Sequence, residues 1–422
     1  MPDAGAPTLR ESQWKPLALT DAQADAAAAL GRALAGQATW WGNAGQPSTD
    51  PAGQGTSAIH VRRARHGGWE VRVVDAIGVI RVGGTVIPVH PKVPGDHVLA
   101  LLTEGGVLPR VATASVDVGT GDHLFELVAR WLVSASEDVL RGDLIREYRA
   151  HDDTLGHVRG RIDVQATSLR LLAGRAEVLC EYDELDVDNA INRVLLAAVR
   201  LVTRSSLAQP DTRSRANRLI GHFDGVTAVR PADVAVEVGP RTWYYRQALS
   251  LAKLVLSGSS LDLDAGDTPA SAFLLRTPEP VEGGIRNLLA RRLQGKYLVT
   301  NKNLLLPPST KTLNPDLVFD RGLAVGDVKY QLQGGDWDSA HLYQAVTFAT
   351  GYRARHALVI TFSTGPAARP SLQVGDVTLT NLCWNAGPGV TYADAANTLV
   401  DEVGRWLADQ RQVAAPNRLA TG

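Results

Sequence analysis

Asp316, Asp327 and Lys329 are the residues of this chain whose types and spacing best suit chemistry. They stand in NPDLVFDRGLAVGDVKYQ, residues 314–331, where two short apolar runs flank Asp320-Arg321-Gly322. Charges inside strands are unfavourable unless they are paired, solvated or holding a metal. Side chains alternate along a strand, so Asp327 and Lys329 share one face and Val328 takes the other. If Arg321-Gly322 is a two-residue loop, Asp320 pairs with Leu323 and Asp316 falls opposite Asp327, with Cβ atoms roughly 5 Å apart. A three-residue loop ending at Gly322 would shift that register by one and need a bulge to restore it. Two carboxylates so placed repel unless a cation lies between them. Their hard oxygens suit Mg2+, with Mn2+ as an alternative. Lys329 can then orient an attacking water or stabilise charge on a phosphorane-like transition state. The chemistry is metal-dependent phosphodiester hydrolysis; the plainer alternative is a pair of surface ion pairs on a hairpin.

The elements that must position these residues follow from periodicity. Beyond a polar break at SGSSLDLDAGDTPA, 257–270, the pattern predicts a helix from Glu282 to Leu293 and short strands at Tyr297–Thr300 and Pro315–Asp320. A strand over Leu323–Tyr330, a helix over Asp338–Tyr352 and an apolar strand over His356–Phe362 come next. The order is αβββαβ, a mixed sheet with helices against it, closed by a helix over about 392–410. Asp262, Asp264 and Asp267 in the break lack the spacing of a calcium loop and read as a solvated linker. Upstream, TDAQADAAAALGRALAG, 20–36, reads as a helix capped by Thr20 or Asp21 and stopped by Gly36. GNAGQPSTDPAGQGTSA, 42–58, reads as a flexible spacer, with a partner-contacting finger as the alternative. WEVRVVD, GVIRV and TVIPV form a small β-rich module near 58–95. The middle reads as mainly helical, with helices over 186–204 and 239–258 and a ribbon around GHVRGRIDV, 156–164, whose Arg159 and Arg161 read as solvated. The expected fold is multidomain α+β: a β-rich segment over 1–115, a mainly helical one over 116–265 and the αβββαβ domain over 266–422.

Composition narrows the classes. The 422 residues are 45% apolar and 21% charged, ordinary for a globular protein. No run of about 18 apolar residues occurs and the N-terminus lacks a signal-peptide pattern, so a cytoplasmic protein without a membrane partner is expected. Two distant cysteines and scattered histidines make a disulfide framework or a zinc site unexpected. There is no GxxxxGK[ST] loop, so any nucleotide hydrolysis belongs to another chain. A net charge of −1 supplies no general field for nucleic acid. Only seven of the 43 basic residues are lysine, which sets Lys329 apart.

Pro315-Asp316 followed by Asp327-Val328-Lys329 resembles the motif of the PD-(D/E)xK nucleases. That resemblance implies roles for an acidic residue on the preceding helix, here Glu282 as ligand or base, and for a glutamine on the following helix, here Gln344. More of the chain is similar to the McrC family, the nuclease subunits of McrBC modification-dependent restriction systems. IGVIRVGGTVIPVHPKV (77–93), RGRIDV (159–164), YDELDVDNAINRVLLAAV (182–199), TWYYRQALSLAKLVL (242–256) and HLYQAVTFATGY occur in the family's order. The first 60 residues have no counterpart in that resemblance.

The resemblance implies a subunit that docks on an McrB-like AAA+ hexamer through its N-terminal part. It would stimulate GTP or ATP hydrolysis there and cut modified double-stranded DNA with a divalent metal held by Asp316, Asp327 and Glu282. Lys329 is the expected catalytic cation, and Gln344 a residue that orients the site or touches a phosphate. Two other readings stay open: a non-cleaving activator of the NTPase, and a stand-alone DNA repair nuclease.

Overall fold

The computed structural model describes residues 7–35, 57–108, 123–259, 263–265, 268–365 and 369–414. It divides into two compact units, Met1–Leu124 with Gly258–Gly422 as one and Phe125–Ser257 as the other. The spacer expected before Ser57, the Gly36 stop and the aspartates Asp262 and Asp267 lie outside the described residues.

The first unit begins with β1 (Leu9–Arg10), β2 (Lys15–Leu17) and α1 (Asp21–Ala35). Thr20 and Gln23 start α1 by a reciprocal cap: the Thr20 Oγ1 accepts from Gln23 N–H at 3.2 Å and the Gln23 side chain accepts from Thr20 N–H at 2.9 Å. The expected β-rich module follows as β3 (Ile59–Arg63), β4 (Trp69–Val73), β5 (Ala76–Val82) and β6 (Thr85–His90), then α2 (Gly95–Glu104). Strands β2-β4-β3 make one small sheet.

The second unit contains α3 (Leu124–Leu140), β7 (Glu147–Leu155), β8 (Arg161–Ile162), α4 (Val164–Leu172) and β9 (Val178–Asp186). It ends with α5 (Ala190–Arg204), α6 (Pro210–Ile220) and α7 (Arg246–Gly258). Its three-stranded sheet, β7-β9-β8, departs from the helical expectation. The ribbon at 156–164 is there only as the two residues of β8; its long partners are EYRAHDDTL and VLCEYDELD. β7 is exposed along almost all of its length, and the half-buried face of β9 carries Cys180, Tyr182, Glu184 and Asp186, too polar to show an apolar period of two. On this ribbon Arg159 pairs with Glu184 at 3.1 Å and lies 4.0 Å from the centre of the Tyr182 ring.

The core of that unit is fixed by a buried guanidinium. Arg193 of α5 donates two bonds to Asp233, Nε to Oδ2 at 2.8 Å and Nη2 to Oδ1 at 2.9 Å, and lies 3.2 Å from Asp188 Oδ1. Hydrogen bonds from Arg193, more than burial, set the Asp233 pKa, which is held below the ordinary carboxylate range. Forked arginine–carboxylate pairs of this kind fix relative orientation as well as charge.

The chain returns to the first unit with β10 (Leu263–Ala265) and β11 (Thr268–Arg276). Within the polar stretch read as a linker, Leu263–Ala265 pairs antiparallel with the start of β11, and β11 pairs antiparallel with β5 from Ala270↔Val82 to Arg276↔Ala76. The sheet β1-β6-β5-β11-β10 thus joins residues from both ends of the chain. After α8 (Pro278–Arg292) come β12 (Val299–Thr300), the small hairpin β13 (Leu304–Leu305) and β14 (Thr312–Leu313), β15 (Leu317–Phe319) and β16 (Ala324–Leu332). Helix α9 (Ser339–Tyr352), β17 (His356–Ser363), β18 (Leu372–Val374), β19 (Val377–Asn385) and α10 (Tyr392–Ala414) complete it.

The six-stranded sheet runs β12-β15-β16-β17-β19-β18, with β16, β17 and β19 parallel and the remaining pairs antiparallel. A parallel sheet must be covered on both faces. Ala345, Phe348 and Ala349 of α9 pack with Val325 and Val359, while Phe319 and Trp406 of α10 meet edge to face at 5.9 Å. Burying each such large side chain contributes roughly 1.5–3 kcal/mol. The fold is mixed α+β in more than one unit, and no helix among the described residues is long and apolar enough to cross a membrane.

Arg193 supplies a test of the second unit. Asp233→Asn leaves a buried guanidinium short of its counter-charge and lowers stability by about 3 kcal/mol at pH 7. Because the folded Asp233 pKa is depressed, its stabilisation is complete above the ordinary carboxylate range and is lost as the pH falls through the folded value. Urea unfolding should therefore show a deficit at pH 7 that shrinks as the pH is lowered toward 3.

Candidate functional site

The hairpin β15–β16 adopts the register that sets the two aspartates opposite each other. Leu317 pairs with Gly326, Val318 with Val325 and Phe319 with Ala324, so the next pair outward is Asp316 and Asp327. The turn is tight and left-handed: Asp320 and Arg321 have φ of 45° and 60°, and the Phe319 carbonyl accepts from Gly322 and Leu323 N–H at 2.9 Å each. Asp320 stabilises this turn by accepting from Leu298 N–H at 2.8 Å, and it pairs with Arg411 of α10. No bulge is needed between Asp316 and Asp327.

The carboxylates are fixed by different means. Asp316 Oδ2 accepts from the Val328 N–H at 2.8 Å, which ties it to the strand across the hairpin. Asp327 is buried, and its Oδ2 lies 2.6 Å from Lys329 Nζ. Beyond that ion pair this buried oxygen makes no hydrogen bond of ordinary geometry, so a second cation would find an acceptor there. Lys329 is partly exposed, on the same face as Asp327.

Glu282 comes to this group on α8, and a glycine permits it. A Cβ on Gly284 would lie 2.3 Å from the Leu101 carbonyl of α2, so only glycine lets the two helices approach this closely. Burial pushes the Glu282 carboxyl up to about 8, with the Asp316 and Asp327 carboxylates adding to the shift and Lys329 opposing it. Burial and the Asp327 carboxylate likewise push Asp316 up to about 7. Burial works against the Lys329 ammonium, yet Asp327, Asp316 and Glu282 hold its pKa above the ordinary lysine value. Three acids around one lysine therefore have an unfilled demand for positive charge.

Gln344 stands apart from them. Its side chain is exposed on α9 and makes no hydrogen bond among the described residues. His341, one turn earlier, is nearer the cluster: its Nδ1 is 3.2 Å from Gln331 Nε2, and burial with the Lys329 charge holds its pKa down. Gln331 is the next residue on the Asp327–Lys329 face by alternation alone, a signal present in the sequence.

A divalent cation fits these residues in a limited sense. Among the described residues no three His, Cys, Asp or Glu side chains form a ready-made cage. Mg2+, however, is usually held by one or two carboxylates, with water and substrate phosphate completing its shell. Asp316 and Asp327, opposed on a rigid hairpin with one buried oxygen lacking a directed bond, match that donor set.

Comparison with known proteins agrees with the sequence pattern. A family model described as McrBC 5-methylcytosine restriction system component matches residues 71–362. The fold matches a chain in a half-complex from the tetradecameric assembly of Thermococcus gammatolerans McrB AAA+ hexamers with bound McrC. The TM-score there is 0.65 at 19% identity, covering 94% of this chain and 99% of that one. A chain in the Thermococcus gammatolerans McrBC complex matches with a TM-score of 0.50 at 19% identity, over 68% of this chain and 88% of that one. No curated protein matches. The chain belongs to the McrBC restriction-system component family.

Repulsion within the cluster makes a prediction that does not depend on activity. Carboxyls with raised folded pKa values bind protons more tightly in the folded state, so without metal their contribution to stability is lost as pH rises from the ordinary carboxylate range toward about 8. In thermal unfolding, millimolar Mg2+ should raise Tm more at pH 8 than at pH 6, and Asp316→Asn should remove most of that increment. An equal Mg2+ effect in wild type and variant would place the binding elsewhere.

Proposed function

We propose that this chain is the DNA-cleaving subunit of a McrBC-type restriction system, a PD-(D/E)xK endonuclease that works when assembled with an McrB-like AAA+ NTPase. The observation that carries the proposal is the convergence of Asp316, Asp327, Lys329 and Glu282 in a member of the McrBC component family. The chain of similar fold comes from an assembly of McrB AAA+ hexamers with bound McrC, which supports the same kind of partner here. The family description supports methylated or otherwise modified DNA as the substrate class.

In this reading Asp316 and Asp327 hold Mg2+ or Mn2+, with Glu282 as a third carboxylate that completes the shell or takes a proton. A bound divalent cation would supply Lewis-acid polarisation of the scissile phosphodiester. Lys329, held beside Asp327, presents its ammonium to the phosphate oxygens on which charge grows as water attacks phosphorus. The P–O bond to the leaving sugar oxygen then breaks and that oxygen takes a proton from solvent, leaving a phosphate end and a hydroxyl end. Glu282, buried beside both aspartates, would accept the proton of the attacking water in its ionised form, which a bound cation would favour. Gln344 is proposed to meet the DNA backbone from α9, where its side chain is open to solvent. A partner that tracks DNA explains how a chain of net charge −1 reaches its substrate.

The test combines the chain with an McrB-like AAA+ protein from the same genome, nucleotide, Mg2+ and both modified and unmodified duplex DNA. Wild type should cleave, and Asp327→Ala should lose at least about two orders of magnitude in cleavage rate while still stimulating NTP hydrolysis. Stimulated NTP hydrolysis without cleavage by wild type on any substrate would make the chain an activator subunit instead.

A further inference from the structure

Lys92 follows β6 in the N-terminal segment, yet its ammonium ends on the strand that carries Lys329. Its Nζ donates to the main-chain carbonyl of Tyr330 at 3.1 Å and to Asp75 Oδ1 at 3.2 Å, with Glu11 Oε1 3.7 Å away. It also lies 4.8 Å from the centre of the Tyr330 ring. Glu11 is fully buried and accepts from the Thr277 hydroxyl. Tyr330 is held in turn edge-on against Phe362 of β17 at 5.2 Å. A mostly enclosed lysine between the buried Glu11, the part-exposed Asp75 and a main-chain carbonyl is a specific way to close a scaffold, since apolar side chains of similar volume often serve as well.

The place where Lys92 bonds is where β16 leaves its regular ladder. Asp327 pairs with Val359 and Val328 with Ile360, but the next pair is Leu332 with Phe362. Lys329, Tyr330 and Gln331 therefore stand against Thr361 alone. Bulges of this kind occur beside active sites, where they re-aim a side chain. A backbone partly released from its ladder has more than one local arrangement unless something else holds it.

We infer that Lys92 is a positioning residue for Lys329: by bonding the Tyr330 carbonyl it fixes the irregular segment of β16 and so aims the lysine ammonium at the Asp316–Asp327 pair. The inference rests on the proposed nuclease reading of that pair. It makes the N-terminal segment part of what sets the cleavage geometry, through a bond with no contact to substrate. Lys92→Met keeps the methylenes over the Tyr330 ring and removes the donor, whereas Lys92→Arg keeps a donor and the charge.

The experiment uses the full chain assembled with its AAA+ partner, and measures cleavage kcat and KM for DNA, NTPase stimulation, and amide hydrogen exchange. Asp327→Ala runs in parallel. A misaimed group should reduce kcat for cleavage by about tenfold to a hundredfold in Lys92→Met, with KM and NTPase stimulation unchanged. Exchange should rise at residues 328–332 and not elsewhere in the six-stranded sheet, and Lys92→Arg should recover most of the lost kcat. Wild-type kcat in Lys92→Met, with Asp327→Ala silent, would overturn the positioning role and leave the nuclease reading intact. So would a loss of cleavage that follows NTPase stimulation in proportion, because a merely structural role moves both. Full cleavage by Asp327→Ala would overturn the nuclease reading and the positioning role with it.

Discussion

The repulsion between Asp316 and Asp327 is the constraint around which the first unit is arranged. Two carboxylates facing each other across a hairpin would separate if the backbone allowed it. The tight turn, with Asp320 and Arg321 both left-handed, denies them that freedom, and the Val328 N–H holds Asp316 in place. What remains are buried carboxyls whose charge Lys329 offsets only in part: burial first, and the neighbouring carboxylates second, push Asp316 and Glu282 up. A local structure that disfavours its own charges persists only when its surroundings over-determine it, and such places are commonly where proteins act.

The surroundings here come from both ends of the chain. Strand β11 closes a sheet begun by β5 and β6, and Gly284 brings α8 against α2 so that Glu282 meets the hairpin. A buried His97 on α2 accepts from the Trp384 indole N–H at 2.9 Å, tying the N-terminal segment to β19 as well. The six-stranded sheet is thus buttressed by His97 and Lys92, whose partners Trp384 and Tyr330 lie more than two hundred positions later. This is a rigid platform, on which small misplacements of a charged group matter.

The hairpin was legible because alternation and turn chemistry are local: Asp316, Asp327 and Lys329 could be assigned to one face from residue counting alone. The αβββαβ elements were legible for the same reason, each being short, apolar and bounded by turn residues such as Asp320-Arg321-Gly322. Strand β11 was not, since DTPASAFLLR has an apolar run but its partner β5 lies almost two hundred residues earlier. Strands β7 and β9 escaped because β7 is almost wholly exposed and the half-buried face of β9 carries Glu184 and Asp186, so neither shows an apolar alternation. Within the site, the Lys92–Tyr330 bond had no signal at all: a side chain reaching a backbone carbonyl leaves no pattern in either segment. Gln344 was assigned by resemblance, and its exposed position leaves its part in the site to be established by DNA.

The opposed aspartates are proposed to hold a cation. The most direct measurement is anomalous diffraction from crystals of the chain equilibrated with Mn2+, read at the manganese edge. The account predicts a peak bound by oxygens of both Asp316 and Asp327, absent in crystals of Asp327→Ala. An Asp316–Asp327 pair without anomalous density at millimolar Mn2+, with the Lys329–Asp327 ion pair unchanged, would contradict it.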